Sequence, residues 1–498
     1  MTETGPGTRL VDPTEDPDAV FRRMAQRSLE ARLRLPAALV AALLTLAPQA
    51  SAQPRQTAPS KPKKGAIGSD VVAKTLPNGL RVIVWPDHDI PNVALYIWHK
   101  VGSRNEHNGI TGLSHFFEHM MFLGSKNYPG GEFDRVMEGN GGANNAFTTQ
   151  DVTVYSDWFA KSALDLVLKM EADRMCCLTF DSTSVQSERE VVYSERRTSV
   201  DNNNQQFLDE SVEATAFEAH PYQIPTIGWP SDIERWTMAD LKEYFRIYYA
   251  PNNAVLVVVG DVTGPEIMTL MDKYFAGIPA QPPPPEVRTI EPPQLGERRV
   301  EIRRPAPVPL LEVGYHAGPA SGPDAEAEEL LDMILTAGES SRLYQRMVDR
   351  DRVAVDVDSW LQRGFDPGMY AFFVTVAPDK GLAAAEASLF DELARVSKDG
   401  VTEAELQKAK TIRLASYWRS LKTIDDKASV LGRYEALRGD YRLLFTAPVR
   451  YDKVTRQKIQ EVARRIFTEK NRTVGTLVPE NEPEADAKGS SSARRGKP

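Results

Sequence analysis

A proline-rich segment near the middle of the chain limits the possible folds more than any other feature of the sequence. It begins at Pro279 and reads PAQPPPPEVRTIEPPQLGE. Proline fixes its own backbone φ angle and has no N–H to donate, so neither a helix nor a central strand can run through this segment. We therefore expect an extended linker over residues 279–298. The length of 498 residues agrees, because it is too long for one compact core and suits two domains of about 200 residues with tails.

The two sides of the linker have a similar order of predicted elements. Alternating apolar residues predict two early strands in each half, and apolar residues at helical spacing predict a helix after them. Each half continues with more strand-like sequence and two further helices. We predict the α+β class, with two homologous domains over residues 70–278 and 299–480. Each domain is expected to be a mainly antiparallel sheet packed with helices.

The N-terminal region has the pattern of an export signal. From Met24, arginines precede an apolar run at residues 35–46, and the small residues Ala50-Ser51-Ala52 follow. This is the order of a charged region, a short apolar region and a cleavage site, and the run is too short to span a bilayer. We expect a signal peptide over residues 24–52, cleavage after Ala52, and a periplasmic or secreted protein without stable membrane insertion. The other terminal segments are residues 1–23, an upstream extension if translation starts at Met1, and residues 53–69 and 481–498, whose polar composition predicts disorder.

Charge and cysteine content argue against nucleic-acid binding and against redox chemistry. The chain has 60 basic and 69 acidic residues and no long basic block outside its extreme C-terminus, so we expect no nucleic-acid partner. Its two cysteines, Cys176 and Cys177, are adjacent in a predicted helix, where disulfide geometry is poor. We therefore expect them to be small buried apolar residues and not a redox pair.

The sequence TGLSHFFEHMMFLGS, at residues 111–125, places three ionisable residues in a strongly apolar helix. His115 and His119 lie one turn apart, and Glu118 lies beside them on the same side. Burying an unpaired carboxylate or imidazole costs several kcal/mol, so this polar stripe needs compensation. Two core histidines satisfied by neighbouring side chains are one explanation. The H-x-x-E-H spacing favours another, a catalytic zinc held by the two imidazoles with the carboxylate free to handle a proton.

A catalytic zinc usually has three protein ligands and one open position, so a third ligand is needed. The best donor segment is SEREVVYSERRTSVDN, where Glu188 and Glu195 are seven residues apart and share a helix face. Their backbones are about 10.5 Å apart along a helix, so both are not expected to bind one ion. One should be the ligand and the other should support the site. Spacing alone does not choose between them.

These motifs make the chain similar to the pitrilysin/insulinase family of zinc metallopeptidases, in particular to short bacterial members with two homologous domains. The resemblance extends from Leu76 to Val478. Besides the H-x-x-E-H helix, it rests on GGANNAFTTQDVTVY, EREVVYSERR, HPYQIPTIGW and YYAPNNAVLVVVGDV.

The resemblance implies a role for each of these residues. His115, His119 and Glu195 would hold one Zn²⁺ per chain, with Glu188 as the acidic residue that supports the site. Glu118 would be the general base that takes a proton from the water attacking a peptide carbonyl. An open sheet edge would take the peptide substrate as an added strand, and the alternative for this segment is a plain structural strand. The residues of that edge are Asn144, Asn145, Ala146, Phe147 and Thr148.

The second half departs from the family pattern. Members that act alone carry an Arg and a Tyr there that hold the substrate backbone, but this chain has Val348 and Val355 at the matching positions. We therefore expect a zinc-dependent endopeptidase for unfolded peptides that is the zinc-bearing subunit of a dimer. Its partner would be a homologous chain with the Arg/Tyr pair. The alternatives are that Arg350 or Tyr344 does the same work within one chain, or that a homodimer suffices. A non-catalytic scaffold and a processing peptidase for one precursor are the other functions considered.

Overall fold

The computed structural model describes residues 67–480, which belong to one compact unit. The predicted signal peptide, most of the predicted leader and the C-terminal tail lie outside these residues, so export and cleavage after Ala52 stay predictions. Within the described part of the chain, no helix combines the length and the apolar character needed to cross a membrane.

The first sheet has six strands in the order β1-β2-β6-β3-β5-β4. The pair β2 and β6 is parallel, and all other neighbours in this sheet are antiparallel. The central strand β6 is buried along its whole length, which agrees with its unbroken apolar sequence AVLVVVG. The strands are β1 (Val72–Thr75), β2 (Arg81–Pro86), β3 (Asn92–His99), β4 (Ala143–Thr148), β5 (Thr153–Ala160) and β6 (Ala254–Gly260).

The second sheet repeats this arrangement. Its order is β7-β11-β8-β10-β9, with β7 parallel to β11 and the other pairs antiparallel. Strand for strand, this is the order and direction of β2-β6-β3-β5-β4, so the predicted homology of the two halves is visible in the topology. The strands are β7 (Arg298–Arg304), β8 (Leu310–His316), β9 (Ala354–Leu361), β10 (Met369–Val376) and β11 (Arg472–Pro479).

Fourteen α-helices lie within residues 67–480, and several begin at a side-chain cap that satisfies their first N–H groups. Asp181 and Thr402 are two such caps. The helices of the first half are α1 (Leu113–Leu123), α2 (Glu132–Gly139), α3 (Leu164–Cys177), α4 (Ser182–Arg196), α5 (Asn204–Ala216), α6 (Pro230–Ile233), α7 (Met238–Tyr248) and α8 (Gly264–Tyr274). Those of the second half are α9 (Ala325–Thr336), α10 (Leu382–Asp399), α11 (Glu403–Arg419), α12 (Ile424–Arg438), α13 (Leu443–Asp452) and α14 (Arg456–Ile466).

The two halves exchange one helix each. Helix α5 of the first half packs on β7, β8 and β11 of the second sheet, and α12 of the second half packs on β3 and β6 of the first. The contact is close at Gly432 of α12, where a Cβ atom would lie 1.9 Å from the indole nitrogen of Trp98. One continuous apolar core therefore contains residues of both halves, such as Trp98 and Leu431.

The strand-like stretch NNAFTTQDVTVYSDW forms the hairpin of β4 and β5, and Thr149 Oγ1 accepts hydrogen bonds from the N–H groups of Asp151 and Val152 in the turn between them. The prediction for the cysteines is wrong. Cys176 and Cys177 are joined by a disulfide bond, and Cys176 is exposed, because the pair lies in the last turn of α3 and not inside the helix.

Between α8 and β7, residues 279–297 contain no helix or strand.

Candidate active site

The start of α1 is fixed from outside the helix. Its N-cap residue is Gly112, which adopts a left-handed conformation with φ of 87° and has no side chain to cap the helix. The buried carboxylate of Glu106 takes over this role by accepting hydrogen bonds from the N–H groups of Gly112 at 2.6 Å and Ser114 at 2.7 Å. A negative group at this position also complements the positive end of the helix dipole. Glu106 thus sets the position from which His115 projects.

We expect Glu106→Ala to lower the free energy of unfolding by about 2 kcal/mol, because two N–H groups at the start of α1 lose their acceptor in a buried place. Denaturant unfolding of the purified protein measures this change. Glu138→Ala is the control, since Glu138 is exposed on α2 and a surface substitution of this kind changes stability by about 0.5 kcal/mol or less. Equal stability of the two variants would contradict the role given to Glu106.

One face of α1 is held in an apolar cluster that contains Phe116, Phe117 and Met120. Two tyrosine hydroxyls from neighbouring elements donate to backbone carbonyls of α1: Tyr155 to Phe117 at 2.9 Å and Tyr249 to Ser114 at 3.1 Å. These contacts fix the rotation of α1 about its axis. The polar stripe of the helix consequently faces α4 and the end of β4.

The structure brings the three predicted ligands together. Nε2 of His115 lies 3.6 Å from Oε2 of Glu195, and Nε2 of His119 lies 3.3 Å from the same oxygen. All three donor atoms fall within 4.8 Å of one another. Zinc holds N and O ligands at about 2.0–2.2 Å in a tetrahedron, which places neighbouring ligand atoms about 3.3 Å apart. The donor set therefore fits Zn²⁺, with His115, His119 and Glu195 as the residues that could hold it.

Glu188 contacts the other nitrogen of His119. Its Oε1 lies 2.7 Å from Nδ1, so Nδ1 can donate a proton to Glu188 while Nε2 faces Glu195 at 3.3 Å. Burial lowers the pKa of His119, but its hydrogen bonds to Glu188 and Glu195 outweigh this and raise the pKa to about 9. A divalent cation at Nε2 would be favoured by the same two carboxylates. Glu188 thus has the geometry of a residue that orients a ligand and does not reach the ion itself.

His115 has no such partner. Its Nδ1 is buried and forms no hydrogen bond with any residue in the range 67–480. Burial lowers the pKa of His115 to about 4, and the neighbouring imidazole of His119 adds to this effect. His115 is therefore neutral near pH 7, which is the form that donates a lone pair to a metal.

Glu118 points to the end of the edge strand. The hydroxyl of Thr148 donates a hydrogen bond of 2.6 Å to its Oε2. Burial raises the pKa of Glu118, and the hydrogen bond from Thr148 opposes this increase. A half-buried carboxylate with a raised pKa, next to the candidate metal ligands but not among them, suits a general base. The sequence predicted Thr148 only as part of the edge, and its contact with Glu118 is new.

Two residues that position Glu195 could not be assigned from sequence. Arg196, the next residue on α4, is buried and donates to both carboxylate oxygens of Glu210 and to the carbonyl of Gly228 at 2.8 Å. Gly228 in turn crosses the start of α1 so closely that a Cβ atom on it would lie 2.7 Å from the Cα of Gly112. This chain of contacts ties Glu195, the candidate third ligand, to α1. The motifs YSERR and PTIGW contain both residues but do not reveal that they meet.

Strand β4 forms an edge of the first sheet, and on its outer side it has no strand neighbour within residues 67–480. Side chains alternate along it, with Asn145 and Phe147 exposed and Asn144, Ala146 and Thr148 half-buried. Asn144 is held by a hydrogen bond of 2.8 Å to Asp134. The free backbone groups of β4 are therefore available to pair with an added strand that ends beside Glu118.

A cavity of about 280 Å³ opens beside the ligands, and we call it the His115 cavity. One wall is acidic, because helix α5 contributes Asp209, Glu210 and Glu213 to it. Burial raises the pKa of Asp209 to about 6. Trp360 of β9 also lines the cavity, so the second half of the chain contributes to the candidate site.

The two valines that replace the expected Arg and Tyr lie apart from polar contacts. Val348 is half-buried against the apolar core of the second half, and Val355 is 57% exposed on β9. Nearby, Arg350 is exposed and contacts Asp351 at 3.5 Å, whereas Tyr344 packs against the core. Neither of these two side chains lines the His115 cavity.

Comparisons with known proteins agree with this arrangement. Residues 81–229 match the family described as Insulinase (Peptidase family M16), and residues 235–413 match the Peptidase M16 inactive domain. Zinc protease PqqE of Helicobacter pylori is 31% identical over 366 residues, which cover 72% of this chain and 82% of that protein. Uncharacterized zinc protease YmxG of Bacillus subtilis is 27% identical over 404 residues, 79% of this chain and 95% of that protein.

Among solved structures, the crystal structure of a protease from Helicobacter pylori has a TM-score of 0.79 with 30% sequence identity, and the match covers 82% of this chain and 99% of that chain. The fold, the order of the motifs and these similarities agree. The chain belongs to the insulinase family, peptidase family M16.

Proposed function

We propose that this chain is a zinc-dependent endopeptidase that hydrolyses unfolded peptides bound as an added strand on β4. One observation carries the proposal: His115, His119 and Glu195 converge within 4.8 Å, and Glu118 stands beside them at the end of an open strand. The names of the relatives as zinc proteases support it. They do not favour a non-catalytic scaffold.

Zinc at the three donors would polarise the peptide carbonyl, lower the pKa of water and stabilise the developing oxyanion. The residues of the chain would do the remaining work. Glu118 would take the proton from the attacking water and pass it to the leaving nitrogen. Thr148 would hold the Glu118 carboxylate at the end of β4, and Glu188 would keep Nδ1 of His119 protonated so that its Nε2 stays a donor.

Substrate binding through β4 predicts a dependence on the peptide backbone. An edge strand pairs with N–H and C=O groups, so most side chains are tolerated. We expect N-methylation of alternate backbone nitrogens in a cleaved peptide to raise KM by about tenfold when the blocked nitrogens face β4, because two or more hydrogen bonds are lost.

The control is the same peptide methylated at the intervening nitrogens, which would point away from β4. Steady-state kinetics on the two peptides measures the difference. Equal KM values for both patterns would contradict binding as an added strand.

Val348 and Val355 support a further part of the proposal, that the chain is the zinc-bearing subunit of a dimer. Attack requires the carbonyl to be held within about 3.5 Å of the water, and loss of such positioning is costly. We expect weak hydrolysis by the chain alone and an increase of about tenfold or more in kcat/KM when a homologous chain with the Arg/Tyr pair is added.

To make this comparison, the protein is purified from the native host and its mass is measured. Peptide hydrolysis is then assayed with and without that homologue. A control homologue whose Arg and Tyr are replaced by valine should give no increase. A homogeneous monomer or homodimer with full activity that the homologue does not change would contradict the dimer proposal and leave the peptidase proposal intact.

A further inference from the structure

A second cavity, of about 350 Å³, lies in the second half of the chain, and we call it the arginine cavity. Its walls come from α9, β9, α11 and α12. In the repeated topology, β9 takes the place of β4, and α9, α11 and α12 follow the strands in the order of α1, α4 and α5. The arginine cavity is therefore the internal counterpart of the His115 cavity.

The two cavities share one feature of their chemistry. In the His115 cavity, Thr148 of the edge strand donates to the carboxylate of Glu118 on α1. In the arginine cavity, Ser359 of β9 donates to the carboxylate of Asp332 on α9 at 2.6 Å. Each cavity thus has a hydrogen bond from a strand hydroxyl to a helix carboxylate, with Thr148 and Ser359 at different register positions of their strands.

The residue that the corresponding helix contributes differs between them. Helix α4 brings Glu195, the expected third metal ligand, whereas α11 brings Arg413. The guanidinium of Arg413 lies 3.2 Å from Glu329 and 4.7 Å from the centre of the Tyr451 ring. These two contacts hold the guanidinium in a fixed position at the cavity wall. The second half therefore presents a preorganised guanidinium in place of metal donors.

The wall of the arginine cavity carries more positive than negative charge. Four arginines line it, namely Arg363, Arg413, Arg433 and Arg438, against two acids, Glu329 and Asp332. Arg363 and Arg438 are engaged with Glu328 at 2.7 Å and Glu326 at 2.9 Å.

The other two arginines, Arg413 and Arg433, have guanidinium N–H groups that are free to bind a ligand. Within residues 67–480, Arg433 forms no hydrogen bond or ion pair, and the terminal nitrogens of Arg413 donate no hydrogen bond. Guanidinium groups match the planar fork of a carboxylate, so a carboxylate is the group that best fits these donors.

Trp360 links this cavity to the candidate active site. Its side chain is 41% exposed and lines both the arginine cavity and the His115 cavity. A peptide that occupied both cavities would therefore contact Trp360 where they meet.

We propose that the arginine cavity binds a carboxylate of the peptide substrate, through Arg413 and Arg433, while the peptide occupies the candidate active site. The carboxylate is either the C-terminal one or that of an Asp or Glu side chain. The proposal rests on the function proposed above, because it takes a peptide as the ligand. It identifies peptides with an acidic group as the preferred substrate class.

The test measures binding separately from hydrolysis, in the full chain with Glu118→Gln. Four fluorescent peptides of one sequence combine a C-terminal acid or amide with an internal Glu or Gln, and anisotropy gives each Kd. We expect the peptide with the recognised carboxylate to bind about tenfold more tightly than the neutral peptide. The acid–amide and Glu–Gln comparisons identify which carboxylate is bound.

Adding Arg433→Gln and Arg413→Gln should reduce this preference to about twofold or less and leave the Kd of the neutral peptide unchanged. Arg433 is exposed, so Arg433→Gln and the charge reversal Arg433→Glu test the idea even if Arg413→Gln fails to fold. Arg419→Gln is the matched control. Arg419 is exposed, lies on α11 like Arg413, and lines neither cavity. It should keep the full preference.

The outcomes distinguish this inference from the proposed function. Equal Kd values for all four peptides, or a preference that survives the arginine substitutions, would overturn the carboxylate site. If the protein with Glu118 still hydrolysed these peptides, the peptidase proposal would stand. A carboxylate preference that depends on Arg413 and Arg433, in a protein that hydrolyses none of the peptides even when the homologous chain is added, would support the site and reject the peptidase.

Discussion

Glu118→Gln is expected to keep bound zinc and to lower the rate of peptide hydrolysis by a factor of about 10² or more. Glutamine has nearly the same shape as glutamate, and its oxygen can still accept the hydrogen bond from Thr148. It cannot take a proton from water, and it is not one of the three atoms that converge on the metal position. The substitution therefore separates proton transfer from metal binding.

Metal analysis and kcat on one preparation of the variant give both quantities. Glu190→Gln is the matched control, since Glu190 is exposed on α4 and touches none of the candidate ligands. Turnover of Glu118→Gln near that of the unchanged protein would remove Glu118 from the mechanism. Loss of zinc together with activity would show that Glu118 is part of the metal site.

The second large effect concerns the ligands. His115→Ala, His119→Ala and Glu195→Ala should each lose most of the bound zinc, because each leaves only two donors where a stable site needs three. Glu188→Gln should behave differently. It should still bind zinc but with an affinity about 10- to 100-fold lower, since the substitution weakens the orientation of His119 without removing a donor atom.

Zinc content after dialysis against a competing chelator measures these differences, and His107→Ala is the control because His107 lies in an exposed loop. Full zinc occupancy in the three alanine variants would place the metal elsewhere. A loss in Glu188→Gln as complete as that in Glu195→Ala would exchange the roles assigned to these two glutamates.

Much of the fold follows from the sequence because it depends on local periodicity. The alternating and helical patterns of the two halves predicted strands and helices in an order that the two sheets repeat. The exchange of α5 and α12 did not follow, because an amphipathic helix shows which face is buried but not which sheet covers it. Contacts between the halves fix that choice, such as the approach of Gly432 to Trp98.

In the candidate site, too, local spacing was predictable from the sequence, whereas contacts between distant residues were not. His115, Glu118 and His119 are close in sequence, so their spacing alone placed them on one helix face. Glu188 and Glu195 remained equivalent by spacing, and only the structure shows that they face opposite nitrogens of His119. The positioning residues Glu106 and Arg196 act across loops, where one sequence carries no signal of contact.

Peptide hydrolysis by this protein is expected to depend on a zinc ion that the chain itself holds. The most direct measurement is cleavage of a mixed pool of unfolded peptides by the purified protein, before and after a chelator removes metal and again after one equivalent of Zn²⁺ is returned. We expect cleavage at internal bonds, loss of cleavage when metal is removed and recovery of cleavage with zinc. The variant His119→Ala should cleave under none of these conditions. Cleavage that continues unchanged after complete removal of metal would contradict the dependence on zinc.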